Sequence, residues 1–127
     1  MRILLVEDNT MNSTFVTAVL EPEGYEVTLV KTGPEGYAAA LASSFDLIIL
    51  DIALPGLRGD VICQRLRAAG LRTPIVALTA SAMPDQLAVV HAAGFDEVLT
   101  KPIEPKQLRA MALRYARPGH ITEPDPV

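Results

Sequence analysis

A chain of 127 residues is long enough for one domain with a genuine core. Half of it is apolar but only 5% is aromatic, with no tryptophan, so its core must be built from Ile, Leu, Val and Ala. A formal net charge of −4 argues against broad nucleic-acid binding, and the single cysteine, Cys63, excludes an intramolecular disulfide and a cysteine metal cage.

The chain passes almost at once into an apolar run at residues 3–6, too short for a signal peptide and suited to a core strand. No run reaches the length of about eighteen apolar residues needed to span a bilayer, so the cytoplasm is the expected location and no membrane contact is expected. Met11, Phe15, Val16, Val19 and Leu20 repeat at helical spacing and predict a first helix near 10–21. Tyr25, Val27 and Leu29 then alternate with Glu26 and Thr28, as in an edge strand with one wetter face. Thr32 and Glu35 have capping-box spacing with Pro34 in the first turn, predicting a helix through Tyr37, Ala38 and Leu41. A second apolar run fills 47–50. The helix after it carries Val61, Ile62 and Leu66 and stops near Gly70, read as a left-handed cap. A third run at 75–78 precedes a helix from about Pro84, through Leu87, Val90 and His91, to Gly94. A weaker run at 98–99 precedes the cleanest stripe of all, Leu108, Met111, Ala112 and Tyr115, on a helix from about Pro105. Residues 117–127 hold three of the ten prolines and no periodicity, predicting a disordered tail.

The pattern is βα repeated five times. Apolar runs without alternation suit strands covered on both faces, so the economical fold is a single doubly wound α/β domain over 1–116, with a five-stranded parallel sheet. In such sheets, ligands gather at the carboxyl ends of the strands. Glu7, Asp8 and Asn9 follow the first strand, Asp51 the third, Thr79, Ala80 and Ser81 the fourth, and Lys101 and Pro102 the fifth. Three carboxylates from two strand ends repel one another unless a hard divalent cation sits between them, and magnesium suits few protein ligands plus water. Lys101 and Thr79 could then hold a transferred phosphoryl group, with Asp51 as nucleophile. Each residue alone has a plainer explanation, such as a helix cap for Asp8 or Asn9 or a strand end for Thr79. The four strand ends together are the signal.

These residues make the chain resemble the response-regulator receiver family over about residues 2–116. The matching pieces are Val6 to Asn9 (Val-Glu-Asp-Asn), Asp51 with Pro55 and Gly59, Leu78-Thr79-Ala80, and Lys101-Pro102-Ile103. The resemblance implies a flavodoxin-like strand order 2-1-3-4-5, phosphorylation of Asp51, and magnesium held by Asp8, Asp51 and the Ala53 carbonyl, with Glu7 acting largely through water. It implies that Thr79 is the switch hydroxyl, that Lys101 pairs with Asp51 and then with phosphate, and that the Lys101–Pro102 bond is cis. The implied activity is acceptance of a phosphoryl group and slow autodephosphorylation, not turnover of a separate substrate.

The resemblance also exposes a departure. Relatives often carry Tyr or Phe three residues before the lysine, and this chain has Val98. Signal is therefore expected to pass through Ala80 and Ser81, the fourth helix and the fifth strand by smaller repacking. Ala53 and Ser81 hold positions that tune hydrolysis in relatives; alanine offers neither bulk nor a hydrogen bond, and serine a weak one. The implied donor is a sensor histidine kinase or a histidine phosphotransfer protein, and His91 and His120 are read as bystanders. A downstream protein is expected on the face of the fourth helix, fifth strand and fifth helix, where Arg109 and Arg114 could contribute. The implied state is a monomer or a weak phosphorylation-linked dimer, without direct DNA binding. A pseudo-receiver that binds partners without phosphate is the alternative. An aspartate phosphatase would want a second acid at position 53, and a flavin carrier would want a glycine- and hydroxyl-rich first turn.

Overall fold

The computed structural model describes residues 1–116, and the tail expected at 117–127 lies outside them. Along the chain run β1 (Arg2–Val6), α1 (Thr10–Leu20), a 3-10 turn (Glu21–Glu23), β2 (Glu26–Val30), α2 (Gly33–Ala42) and β3 (Leu47–Asp51). They are followed by α3 (Gly59–Ala68), β4 (Ile75–Thr79), α4 (Pro84–Ala93), β5 (Glu97–Thr100) and α5 (Pro105–Ala116). The strands form one parallel sheet in the order β2-β1-β3-β4-β5, which is the doubly wound flavodoxin-like arrangement.

Successive strand residues point to opposite faces, so the apolar runs split into two cores. Leu4, Val6, Ile48, Leu50 and Ala77 face α2, α3 and α4, whereas Ile3, Leu5, Ile49, Val76 and Leu78 face α1 and α5. Each fully buried Leu or Ile stabilises by roughly 1.5–3 kcal/mol, so the two faces dominate the stability. The α5 stripe is buried as expected at Leu108, Met111, Ala112 and Tyr115. Cys63 lies fully buried on α3, and burial pushes its thiol up to about 11, away from the thiolate that would react.

The helix ends follow their sequence signals. Asn9 Oδ1 accepts from the Asn12 amide at 2.9 Å at the start of α1. Thr32 Oγ1 accepts from the Glu35 amide at 3.2 Å, and its hydroxyl donates to Glu35 Oε1 at 3.0 Å, where a capping box would have the carboxylate reach the cap amide. Gly70 and Gly94 both adopt left-handed φ, at +92° and +103°.

As expected, α2 runs through Tyr37, Ala38 and Leu41; Leu41 and Ala38 are exposed, Tyr37 is half-buried, and Gly33, Gly36 and Ala40 face inward. The helix lies too close to β1 for larger groups, since a Cβ on Gly36 would come within 2.8 Å of Val6 Cγ2. One expectation needs correction: Tyr25, just before β2, and Val27 pack inward, but Leu29 is 37% exposed, beside the polar flank of α1 at Ser13, Thr14 and Thr17. As expected, α4 carries Leu87, Val90 and His91 and is capped by Gly94; Val90 and Ala93 are buried and His91 is exposed.

Gly59 shows why the loop after β3 tolerates only one residue type where α3 begins. A Cβ there would lie 2.2 Å from the Asp51 carbonyl oxygen and 2.9 Å from Ile52 Cα, both backbone atoms. Gly59→Ala is expected to cost about 1–3 kcal/mol through overpacking, read as a lower urea midpoint at an unchanged slope. An unchanged midpoint would show that the loop can yield.

Candidate functional site

The register of the sheet assembles the site. Val6 lies opposite Leu50, so Glu7 falls beside Asp51, one residue further along each strand. Asp51 is opposite Leu78, and Thr79 opposite Thr100, which brings Thr79 and Lys101 to the same edge. Asp51 and Thr79 are the last residues of their strands rather than the first loop residues, a shift of one position that leaves their direction unchanged.

Glu7 is fully buried, Asp51 is 3% exposed, and Asp8 is exposed. One carboxylate oxygen from each lies within 4.8 Å of the others. Asp51 is held at both oxygens: the Ala53 amide donates to Oδ1 at 3.1 Å, and Lys101 Nζ donates to Oδ2 at 3.1 Å. Lys101 Nζ also lies 3.6 Å from Glu7 Oε1. Glu7 Oε2 accepts from the Asn9 amide at 3.2 Å, so Asn9 both caps α1 and orients this carboxylate. Glu7 Oε1 is buried without a hydrogen-bond partner among the described residues.

Burial first, and the neighbouring Asp51 carboxylate second, hold the Glu7 carboxyl well above the usual carboxylate range, although the Asn9 amide and Lys101 pull the other way. A carboxylate buried beside two others, with one oxygen unsatisfied, is the environment a hard cation relieves. Oxygen donors in this number fit a divalent ion that keeps several waters. Glu7, Asp8 and Asp51 are the side chains that could hold it. Among the described residues they are the only three His, Cys, Asp or Glu groups so placed.

The remaining expected residues are also brought here, with one difference. The Thr79 hydroxyl is turned into its own loop, donating to the Ser81 carbonyl at 3.3 Å and accepting from the Ser81 amide at 3.2 Å. Ala80 is exposed beside it, and Ala53 is exposed after Asp51. Val98 is half-buried and packs into the core beneath α2, α3 and α4. The Lys101–Pro102 bond is cis. Arg114 pairs with Glu97, which also accepts from the Tyr115 hydroxyl at 3.0 Å, so β5 and α5 are tied together on the face expected for partners. Lys101 also borders a cleft of about 210 Å³, with Phe15 and Val16 of α1, Leu78 of β4 and Ile103 among its walls. No sequence signal points to this cleft, because its apolar residues read simply as core.

The metal-free charge balance is directly testable. Glu7→Gln removes one of three converging carboxylates and is expected to stabilise the metal-free chain by about 1–2 kcal/mol, the size of a like-charge contact at low screening. The same variant should gain less thermal stability from added magnesium than the unaltered chain. A loss of metal-free stability would show that the Glu7 charge is already fully compensated by Lys101.

The family model for the response regulator receiver domain matches residues 3–113. The hybrid signal transduction histidine kinase G of Dictyostelium discoideum is 40% identical over 96% of this chain, which spans 4% of that protein. Across similar curated relatives the chain spans between 4% and 54% of their length. Among solved structures, chemotaxis response regulator CheY4 of Vibrio cholerae superposes with a TM-score of 0.84 at 30% identity, covering 90% of this chain and 97% of that one. The receiver domain of sensor histidine kinase PA1611 from Pseudomonas aeruginosa PAO1, solved with magnesium coordinated in its active-site cleft, is 38% identical with a TM-score of 0.83. That match covers 90% of this chain and 95% of that one.

Proposed function

Because the chain belongs to the response regulator receiver family of two-component systems, we propose that it accepts a phosphoryl group from a phosphohistidine onto Asp51 and changes partner binding when it does so. The observation that carries this is the Asp51 carboxylate, nearly buried, bonded by the Lys101 ammonium at 3.1 Å and flanked by Glu7 and Asp8. An Asp51 oxygen attacks phosphorus, the P–N bond to the donor imidazole breaks, and an aspartyl phosphate remains on the chain. The leaving imidazole keeps the bonding electrons and takes a proton from solvent if it departs as the anion. Glu7, Asp8 and Asp51, with the Ala53 carbonyl, are the groups that would hold magnesium. Magnesium, when bound, neutralises the cluster and the transferring phosphoryl oxygens.

Lys101 is placed to exchange Asp51 Oδ2 for a phosphoryl oxygen without a change of strand position. Thr79 must leave Ser81 to reach the same group, and so reports the phosphorylated state. Ala53 puts no side-chain hydrogen bond beside Asp51, so the lifetime of the aspartyl phosphate follows its intrinsic chemistry. The protein is a phosphoacceptor and slow self-hydrolase rather than an enzyme acting on a separate substrate.

The donor is a sensor histidine kinase or a histidine phosphotransfer protein, which can seat an apolar side chain in the cleft beside Lys101. The downstream partner is a protein that meets α4, β5 and α5, where Val89 and Leu113 are exposed. With a net charge of −4 it binds no DNA itself, and no helix among the described residues is long and apolar enough to cross a membrane. It acts in the cytoplasm, as a monomer or a weak dimer formed on phosphorylation.

Incubation with magnesium and a small phosphoryl donor such as acetyl phosphate, followed by intact mass, tests the reaction. The unaltered chain is expected to gain one phosphoryl group, and Asp51→Asn none. A folded chain that gains nothing, with or without magnesium, would instead favour a pseudo-receiver that binds partners without phosphate.

A further inference from the structure

Asp51 and Glu7 are held by the same local device. In each, the backbone amide two residues along the chain donates to one carboxylate oxygen: Ala53 to Asp51 Oδ1 at 3.1 Å, and Asn9 to Glu7 Oε2 at 3.2 Å. What fixes the donating amide differs. Ala53 lies in a loop that closes where the Gly59 amide donates to the Ile52 carbonyl at 3.0 Å. Asn9 is fixed by the helix it starts: Oδ1 accepts from the Asn12 amide at 2.9 Å, and its backbone carbonyl accepts from the Ser13 amide at 3.0 Å. Its N–H, its C=O and its side-chain carbonyl are thus all engaged.

Glu7 needs this support more than its neighbours do. Its side chain has one more methylene than Asp8 or Asp51, and so one more torsion to order before the carboxylate points to one place. The strand holds only its root, where the Glu7 amide donates to the Val30 carbonyl at 3.1 Å. With Oε2 taken by Asn9, the oxygen left buried without a hydrogen-bond partner among the described residues is Oε1, 3.6 Å from Lys101 Nζ. That oxygen is the one a cation, or a water on it, would meet. The same turn of α1 is also a wall of the cleft beside the site, which Asn12, Phe15 and Val16 line together with Lys101. The bonds from Asn12 to Asn9 and from Asn9 to Glu7 therefore run from the cleft wall to the carboxylate cluster.

We propose that Asn9 is a positioning residue for the cation: it holds Glu7 Oε2 so that Oε1 faces the cation, and it makes cation affinity and the order of the first turn of α1 rise together. The proposal rests on the metal site of the phosphoacceptor reading above. Such coupling is reciprocal, so whatever orders that turn tightens the cation, and the bound cation orders the turn. A residue that merely capped its helix would do neither.

Magnesium titrations of the full chain followed by amide NMR shifts, with thermal unfolding of the metal-free protein alongside, test this. Glycine is a tolerated N-cap without a side-chain acceptor, so Asn9→Gly should unfold within about 3 °C of the unaltered chain. It should nevertheless bind magnesium about tenfold more weakly, the loss typical when a group that orients a metal ligand is removed. Asn9→Ser, which keeps a capping oxygen, should restore the affinity. Thr32→Ala removes the cap of α2, where Thr32 Oγ1 accepts from the Glu35 amide, and should lower thermal stability with magnesium affinity unchanged. In the unaltered chain, saturating magnesium should slow exchange of the Asn12 and Ser13 amides about fivefold or more. The Ser13 amide of Asn9→Gly should not slow. Equal magnesium affinity in the unaltered chain and Asn9→Gly, or an equal loss in Thr32→Ala, would overturn the proposal and leave the metal reading standing. Absence of slowing at Asn12 and Ser13 in the unaltered chain would overturn it without recourse to any variant. An unaltered chain with no saturable response to magnesium would overturn both.

Discussion

The site depends on a charge imbalance that the fold enforces. Glu7, Asp8 and Asp51 bring three carboxylates together, and Lys101 brings one ammonium. When all are ionised, two negative charges remain in excess, which matches one divalent cation in the resting state. A phosphoryl group arriving on Asp51 adds new negative oxygens, to which Lys101 and the cation can turn. On the proposed reading, metal dependence and phosphoryl chemistry would be two consequences of one electrostatic constraint rather than separate properties.

That imbalance costs stability unless the backbone makes the convergence unavoidable, and the parallel register does so. Val6 and Leu50 are paired deep in the sheet, so Glu7 and Asp51 have no freedom to separate. The close approach of Gly59 to the Asp51 carbonyl fixes the loop that presents the Ala53 amide. Two apolar cores, one on each face, supply the stability against which the polar edge is held.

Much of this was legible in the sequence because the strand runs are purely apolar and stop at polar residues. Glu7, Asp51, Thr79 and Lys101 stand out where Val6, Leu50, Leu78 and Leu99 end, and a parallel sheet puts all such ends on one edge. Helix faces were less legible. On α2 the inward face is made of Gly33, Gly36 and Ala40, which carry almost no hydrophobic signal, so Leu41 drew attention although it is exposed. The turn of the Thr79 hydroxyl towards Ser81 is a rotamer choice that composition does not encode.

The absence of an aromatic residue at position 98 changes how a phosphorylation signal can travel, but not where it starts. In the proposed mechanism it starts with Lys101 and Thr79 changing partners around Asp51. A crystal structure of the chain with magnesium and beryllofluoride tests this most directly. The phosphoacceptor mechanism requires Lys101 Nζ and Thr79 Oγ1 each within about 3 Å of a fluoride on Asp51, with the Thr79–Ser81 hydrogen bonds broken. Beryllofluoride bound to Asp51 with Thr79 still bonded to Ser81, or Lys101 turned away to Glu7 alone, would contradict it.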